Sequence, residues 1–399
     1  MSTSTQIRFT GDELKIVAMV TVLLFIGLLG TDIHLSSLPE IMSVMQVSRA
    51  TLQASISIFL FGTGVGALVY GPLSDKYGRK PVILIGIAVA IAGNLWAVYA
   101  AKASVFLAAR FVQGIGSGVC LALSRVVLSD IVQGPRYAIA SSYITLFTGL
   151  SFVLGPLLGS LVQAWFGWRA NFVLMALLLA VIFLAYGRSR ETNTHKDPSI
   201  SVAGVFASYA VVLGDATFLA TTVMAGIGMT CFVLYTSSSP FVLQQRFGFS
   251  ATDYGWATAL VGSGLIISRL AFPWLVRTLG MHATMAVGFA ITLLCGAALL
   301  IVAQLGLMSA WVFLACVAGI SFSYSFIVLC ASALAINRFP TRRGAAGALY
   351  CCSQMGLAFG VNSLVSAAGN DVVTLLGVSY VVLPVLGLAL CLRMRTASA

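Results

Sequence analysis

The chain has 399 residues, of which 59% are hydrophobic and only 8% charged, and its mean hydropathy is +1.02. Soluble domains carry about 25% charged residues, and folding always leaves a large outer area facing solvent, so an ordinary cytosolic enzyme, a nucleic-acid-binding protein and a disordered chain are excluded. The formal charge of +11 would point to acidic partners in a soluble protein; in a membrane protein it reports loops kept on the cytoplasmic side.

The amino terminus, MSTSTQIRFTGDELK, is polar and reads as a cytoplasmic tail rather than a cleaved signal core. About 20 apolar residues cross the hydrocarbon layer as a helix. The chain offers twelve such runs, at 16–37, 51–73, 81–100, 104–127, 137–162, 168–187, 217–240, 251–275, 283–304, 308–335, 343–368 and 372–392. They are continuously apolar rather than alternating, which excludes a closed barrel. Every backbone group must then pair within its own helix, so the fold class is an all-α integral membrane protein. With both termini inside, the basic residues fall on the cytoplasmic side, Arg8, Arg125 and Arg269 among them, except Arg49, Lys102, Arg169, Arg246 and the intramembrane Arg110. The polar break Arg188–Ser201 divides six spans from six. It predicts two pseudo-symmetric halves, 1–187 and 202–399, joined by a cytoplasmic linker at 188–201. Ser201–Gly214 is apolar but short, and reads either as an interfacial helix or as the lead-in to span seven. The eight cysteines lie in apolar stretches without a CxxC pair, so no metal site is expected.

The loop between spans two and three runs Gly71-Pro72-Leu73-Ser74-Asp75-Lys76-Tyr77-Gly78-Arg79-Lys80-Pro81. Gly71 and Gly78 permit tight turns, and Asp75 with its basic neighbours can form ion pairs. Span four carries Arg110-Phe111-Val112-Gln113-Gly114-Ile115-Gly116, and span five carries Gly155-Pro156-Leu157-Leu158-Gly159 flanked by Ser151 and Ser160. The loop strongly resembles the GxLaDrxGrkP signature of the major facilitator superfamily. The other two stretches resemble its span-four RxxQGxG pattern and its antiporter motif. Thr31-Asp32-Ile33-His34-Leu35-Ser36-Ser37-Leu38-Pro39 is similar to the D-x-y-l-P-a-l-P stretch of the bicyclomycin- and florfenicol-resistance group of drug:proton antiporters, with His34 for the tyrosine and Ser36 for the first proline. Phe166-Gly167-Trp168-Arg169 fits the same group. The resemblance implies the two-half fold of that superfamily, a monomer in a bacterial inner membrane, and export of a small amphipathic compound against protons, with no cofactor beyond the coupling ion. It implies that Arg110 couples substrate to proton. It also implies a cytoplasmic latch built on Gly71, Asp75, Gly78, Arg79, Lys80 and Asp130, in which Asp75 accepts bonds from Arg343-Gly344-Ala345-Ala346 and Arg79 pairs with Asp130. A proton-coupled uptake carrier for a metabolite is the alternative.

Asp32 is the one acidic residue well inside an apolar run, although near its outer end. An ionised carboxylate in hydrocarbon is costly and marks a functional site by default; either Asp32 takes up and releases a proton, or it lies near the outer surface and merely ends span one or pairs structurally. Arg110 is the one basic residue deep in a span and must meet a carboxylate, a carbonyl or water. Either it responds to the charge on Asp32 or it holds carbonyls permanently. Gln113, three residues on, shares its face. His34 faces away from Asp32 and reads as an interfacial side chain without a role. Tyr143, Phe232, Tyr235, Ser263, Tyr324, Gln354 and Asn362 are the polar and aromatic candidates for a substrate cavity, each with packing as its simpler reading. The stripes Gly62-x-x-x-Gly66 and Gly114-x-x-x-Gly118 allow close helix contact, either as static packing or as a sliding surface between the halves.

Overall fold

The computed structural model describes residues 9–193, 196, 197, 199–368 and 371–398. Arg8 and His195 lie outside the described residues, as does the side chain of Arg395. Twelve helices are long and apolar enough to cross a membrane. The first is broken in three: α1 (Gly11–Asp32), a 3-10 turn (Leu35–Ser37) and α2 (Leu38–Met45). Then follow α3 (Arg49–Tyr77), α4 (Arg79–Val98), α5 (Ala103–Ile131), α6 (Gly134–Phe166) and α7 (Arg169–Gly187). A short helix α8 (Val202–Leu213) precedes α9 (Ala216–Pro240), which runs into a π turn (Phe241–Arg246). The last five are α10 (Ala251–Leu279), α11 (Met281–Gln304), α12 (Ala310–Asn337), α13 (Arg343–Ala367) and α14 (Val372–Ser398).

The helices outrun the apolar runs at several ends, because polar side chains finish what hydropathy starts. Thr10, Ser48, Asp215, Ser250 and Ser309 each accept a bond from a first-turn amide, satisfying donors the helix leaves free. The largest departure is in span one, which continues past 37 to Met45. Pro39 lacks an N–H and sits in the first turn of α2, the place where a helix tolerates it. The break therefore falls inside the span, and Asp32, the last residue of α1, is far from the outer end that a run of 16–37 implied.

The stretch Gly71–Tyr77 is helix rather than loop. Gly71 is an ordinary helical residue at the end of α3, and only Gly78 takes a left-handed φ, +107°. Pro72 has no N–H to give the carbonyl of Leu68, four residues earlier. That carbonyl instead accepts the hydroxyl of Tyr209 at 2.8 Å, from α8. Ser201–Gly214 is thus a separate helix and not part of span seven, with Phe206 exposed and Val212 buried.

The two glycine stripes interlock α3 with α5. A Cβ at Gly62 would stand 2.5 Å from the Phe111 carbonyl, and one at Gly118 2.6 Å from that of Thr63. Both helices belong to the first six, so this seam is static packing and not a surface between halves. The first six spans meet the last six chiefly where α3 packs on α13 and α6 on α10. At the end remote from residues 188–201, side chains bridge that division. Gln53 donates to Ser238 Oγ at 3.0 Å, Asn362 to Ser57 Oγ at 2.6 Å, and Gln244 to the Ser36 carbonyl at 2.9 Å.

A methyl group at Gly114 would overlap the Phe59 carbonyl, whereas Gly360 faces open space. Gly114→Ala is expected to lower the melting temperature of the purified protein, with a cost of about 1–3 kcal/mol from overpacking. Gly360→Ala is expected to leave it unchanged or raise it, since a helical glycine costs about 1 kcal/mol against alanine. Equal melting temperatures for the two variants would contradict the interlocked seam.

Candidate functional site

The helix break puts Asp32 at the centre of the bundle. Its side chain is only 2% exposed, and neither carboxyl oxygen has a hydrogen-bond partner among the described residues. Helix α6 packs directly on the break. A Cβ at Gly155 would lie 3.1 Å from the Asp32 Cβ, and one at Gly159 would overlap the Ile33 carbonyl. The antiporter-like motif is therefore the surface against which Asp32 rests, and Pro156 lines a small pocket beside it with Tyr235 and Phe232.

Arg110 projects from α5 toward the end of α1. It donates to the Gly30 carbonyl at 3.3 Å and to Gln113 Oε1, and its guanidinium lies 4.3 Å from the centre of the Phe59 ring. Gln113 in turn donates to Asn94 Oδ1 at 2.9 Å. Arg110 forms no ion pair with Asp32 among the described residues; it holds a carbonyl two positions away. This is the carbonyl-holding arrangement, and a positive group at a helix C-terminus is electrostatically favourable. The expectation for His34 needs correcting. It is fully buried, not interfacial, and packs on Phe172 with ring centroids 5.7 Å apart, because the span continues outward beyond it.

A cavity of about 880 Å³ runs from Asp32 to the end of the bundle that carries residues 188–201. Phe232, Tyr324 and Gln354 line it. Phe152, Phe232 and Tyr324 form a chain of aromatic contacts, with centroids 5.2 and 5.0 Å apart. Tyr235 faces the small pocket instead. The other candidates lie elsewhere. Tyr143 is 48% exposed on the outside of α6, and Ser263 donates back to its own helix at Leu260. Gln113 is committed to Arg110, and Asn362 belongs to the bridge at the far end. Arg125 and Arg269, placed on the cytoplasmic side from sequence, are on helices α5 and α10 and line the cavity.

At the open end, Arg79 pairs with Asp130 at 3.0 Å and with Asp75. The Arg79–Asp130 half of the expected latch is formed, whereas no hydrogen bond joins Asp75 to the start of α13 among the described residues, and Arg343 and Asp75 both line the cavity. Ser189, Glu191, Asn193, Asp197 and Ile200 bond to the α3–α4 corner instead. Glu191 accepts the backbone amides of Arg79 at 2.9 Å and Lys80 at 3.1 Å, capping α4 where Gly78 has no side chain to do so. Lys80 donates to the Ser189 carbonyl and Lys76 to that of Ile200. Burial opposes the charge on Glu191, but the amides of Asn193, Arg79, Lys80 and Thr192 outweigh it and hold the carboxyl below its ordinary range. Glu191 and Asn94 were missed in the sequence. Asn94, an amide inside an apolar run, carried a usable signal; Glu191, an acid in a polar segment, carried none.

A cavity reaching from one end of a helix bundle to a buried carboxylate, with side-chain bridges across the other end, has the build of a membrane transporter. The chain belongs to the Major Facilitator Superfamily, whose sequence profile matches residues 20–369. It is similar to the multidrug resistance protein MdtL of Shewanella oneidensis, 28% identical over 249 residues, which are 62% of this chain and 62% of that protein. MdtL of Escherichia coli is 29% identical over 246 residues, 61% of this chain and 62% of that protein. The match thus spans less than two thirds of either relative. Among solved structures, the D-xylose-proton symporter superposes with a TM-score of 0.78 at 15% identity, over 96% of this chain and 97% of that one. The human organic anion transporter MFSD10 (TETRAN) superposes with a TM-score of 0.70 at 20% identity, over 96% of this chain and 100% of that one. These likenesses show the fold.

Because Glu191 is held below the ordinary range, its docking contribution is full above the free carboxylate value of about 4.3 and is lost as pH falls through the depressed value. Hydrogen-exchange protection of the Arg79 and Lys80 amides is expected to be constant from neutral pH down to about 4 and to drop in stronger acid. Glu191→Gln is expected to lower it several-fold at neutral pH. Protection that ignores both changes would show that Glu191 does not hold the segment.

Proposed function

We propose that this protein exports small amphipathic compounds in exchange for protons by alternating access. The observation that carries this reading is Asp32: a buried, unpartnered carboxyl group shared by the cavity and the small pocket beside it. A carboxylate with no counter-ion in a dry environment is expensive, and a proton removes that cost. The printed names of the MdtL relatives, multidrug resistance proteins, agree with efflux of varied compounds.

In this reading the open end and both termini are cytoplasmic, which the distribution of basic residues supports. Compound enters the cavity from the cytoplasm, and the proton on Asp32 leaves inward. Closure at the open end brings the start of α13 to Asp75, and the bridges through Gln53, Asn362 and Gln244 part. A proton then enters from outside and the bundle returns. Arg110 keeps the end of α1 intact through the cycle, so that the charge on Asp32 alone differs between states. In this reading the proton is the coupling ion and a single chain is the working unit.

The test uses inside-out vesicles energised to an acidic lumen, with a pH-reporting dye and a panel of aromatic amphiphiles of different charge. Wild type is expected to release protons from the lumen when a transported compound is added, and Asp32→Asn is expected not to. Equal responses from the two would place the proton site elsewhere. Proton movement in the opposite sense would identify an uptake carrier.

A further inference from the structure

The cavity is not electrically neutral. Of its two acidic groups, Asp75 is already paired with Arg79, which also lines the wall, and Asp32 lies at the inner end. Arg125 and Arg269 face the same space with no ion pair among the described residues. Arg269 is ten residues from the end of α10, or about 15 Å along the axis at 1.5 Å per residue, too deep to serve as a loop charge. One guanidinium nitrogen donates to the Thr145 carbonyl of α6 at 2.8 Å, and its Nε is buried without a partner. A guanidinium has five N–H donors in a planar fork. One bond to a carbonyl leaves most of that fork free to meet a ligand.

The neighbours of Arg269 show what would use it. Tyr324 and Arg125 lie near enough to act on it electrostatically, and among the described residues no carboxylate pairs with it. Tyr324 also ends the aromatic chain through Phe232 to Phe152. Its hydroxyl proton is turned to Met229 Sδ. A planar cationic fork therefore stands at one end of an aromatic wall, inside a cavity of a volume suited to drug-sized ligands.

We propose that this cavity carries a subsite for aromatic organic acids: Arg269 receives the carboxylate, Arg125 adds to the positive field, and Phe232 with Tyr324 takes the ring system. This rests on the reading of the cavity as the substrate path and narrows it to amphiphiles bearing a single negative charge. Guanidinium–carboxylate pairing is bidentate and stronger than pairing between neutral groups, so recognition is by charge as well as by shape. A cationic amphiphile would meet repulsion from both arginines and is disfavoured.

The test is equilibrium binding of three radiolabelled probes of one shape to the full-length protein in lipid nanodiscs at neutral pH. The probes are naphthaleneacetate, the neutral naphthaleneacetamide and the cationic naphthylethylamine. Wild type is expected to bind the anion at least tenfold more tightly than either of the others. Arg269→Gln is expected to weaken the anion at least tenfold while leaving the amide within about threefold, and Arg269→Lys to recover part of the loss. Amide binding reports on folding, since it uses the same aromatic wall without the charge. The proposal is overturned if the three probes bind alike, or if Arg269→Gln weakens anion and amide equally, which would make Arg269 only a strut between α10 and α6. If amide or amine binds and the anion does not, the charge assignment fails while the cavity remains the substrate path. If none of the three binds, the cavity reading fails and this subsite with it.

Discussion

Helix α1 stops at Asp32 in the middle of the bundle, where its last carbonyls lack partners in their own helix, and the guanidinium of Arg110 supplies one donor at Gly30. An unsatisfied backbone group in hydrocarbon costs several kcal/mol, and an unpaired guanidinium costs more. Each makes the other tolerable. Gln113 takes a second donor of Arg110, Asn94 takes the amide of Gln113, and Phe59 stacks beneath the charge. Gly159 lets α6 cover the Ile33 carbonyl, and Gly155 lets it cover Asp32. These residues come from α1, α3, α4, α5 and α6, so the first half closes around the break. The result is one carboxyl group held in a fixed frame, with its own oxygens left unpaired.

Proline creates the same problem elsewhere, and at three positions a different neighbour resolves it. Pro72 frees the Leu68 carbonyl, which takes the hydroxyl of Tyr209. Pro156 frees that of Phe152, and a Cβ at Gly262 of α10 would stand 3.0 Å from it. Pro384 frees that of Tyr380, and a Cβ at Gly296 of α11 would stand 2.5 Å from it. Glycine there brings the neighbouring backbone close enough for Cα–H···O contacts, individually weak but repeated. The first of these contacts ties α8 to α3, and the second lies on the seam between α6 and α10. Glycine and proline thus set where the two halves touch, and the small residue at Ser160 opposite Gly255 keeps the same seam narrow.

The sequence disclosed what depends on composition. Twelve spans follow from hydropathy alone, and Asp32 and Arg110 stand out because charge is scarce inside apolar runs. Side-chain direction was less legible. Tyr143 and Ser263 look like Tyr324 and Gln354 in sequence, yet two face away from the cavity and two face into it. The hydropathy of these helices is high on every side and gives no face to prefer. The extension of span one to Met45 was hidden because Ser36, Ser37 and Pro39 resemble a loop, whereas they mark a break within a continuing span. Arg269 was counted with the cytoplasmic charges because it lies near the end of its apolar run, whereas α10 continues four residues past that run to Leu279 and sets it deeper. Glu191 acts through backbone amides, which leave no trace in a sequence.

The bridges at the closed end are suited to a seal that has to open. Gln53, Asn362 and Gln244 contribute hydrogen bonds across the division, each worth about 0.5–1.5 kcal/mol net. A handful of such bonds amounts to a few kcal/mol, the range that binding of a ligand or a proton can shift between two states. Buried ion pairs in their place would lock the seal, since separating them leaves uncompensated charge at a cost of about 3–5 kcal/mol for each pair. The charged network lies instead at the opposite end, where Arg79 joins Asp75 and Asp130 inside one half and need not be broken for the halves to separate. The division of labour is physical: neutral hydrogen bonds across the moving seam, and ion pairs within the bodies that move.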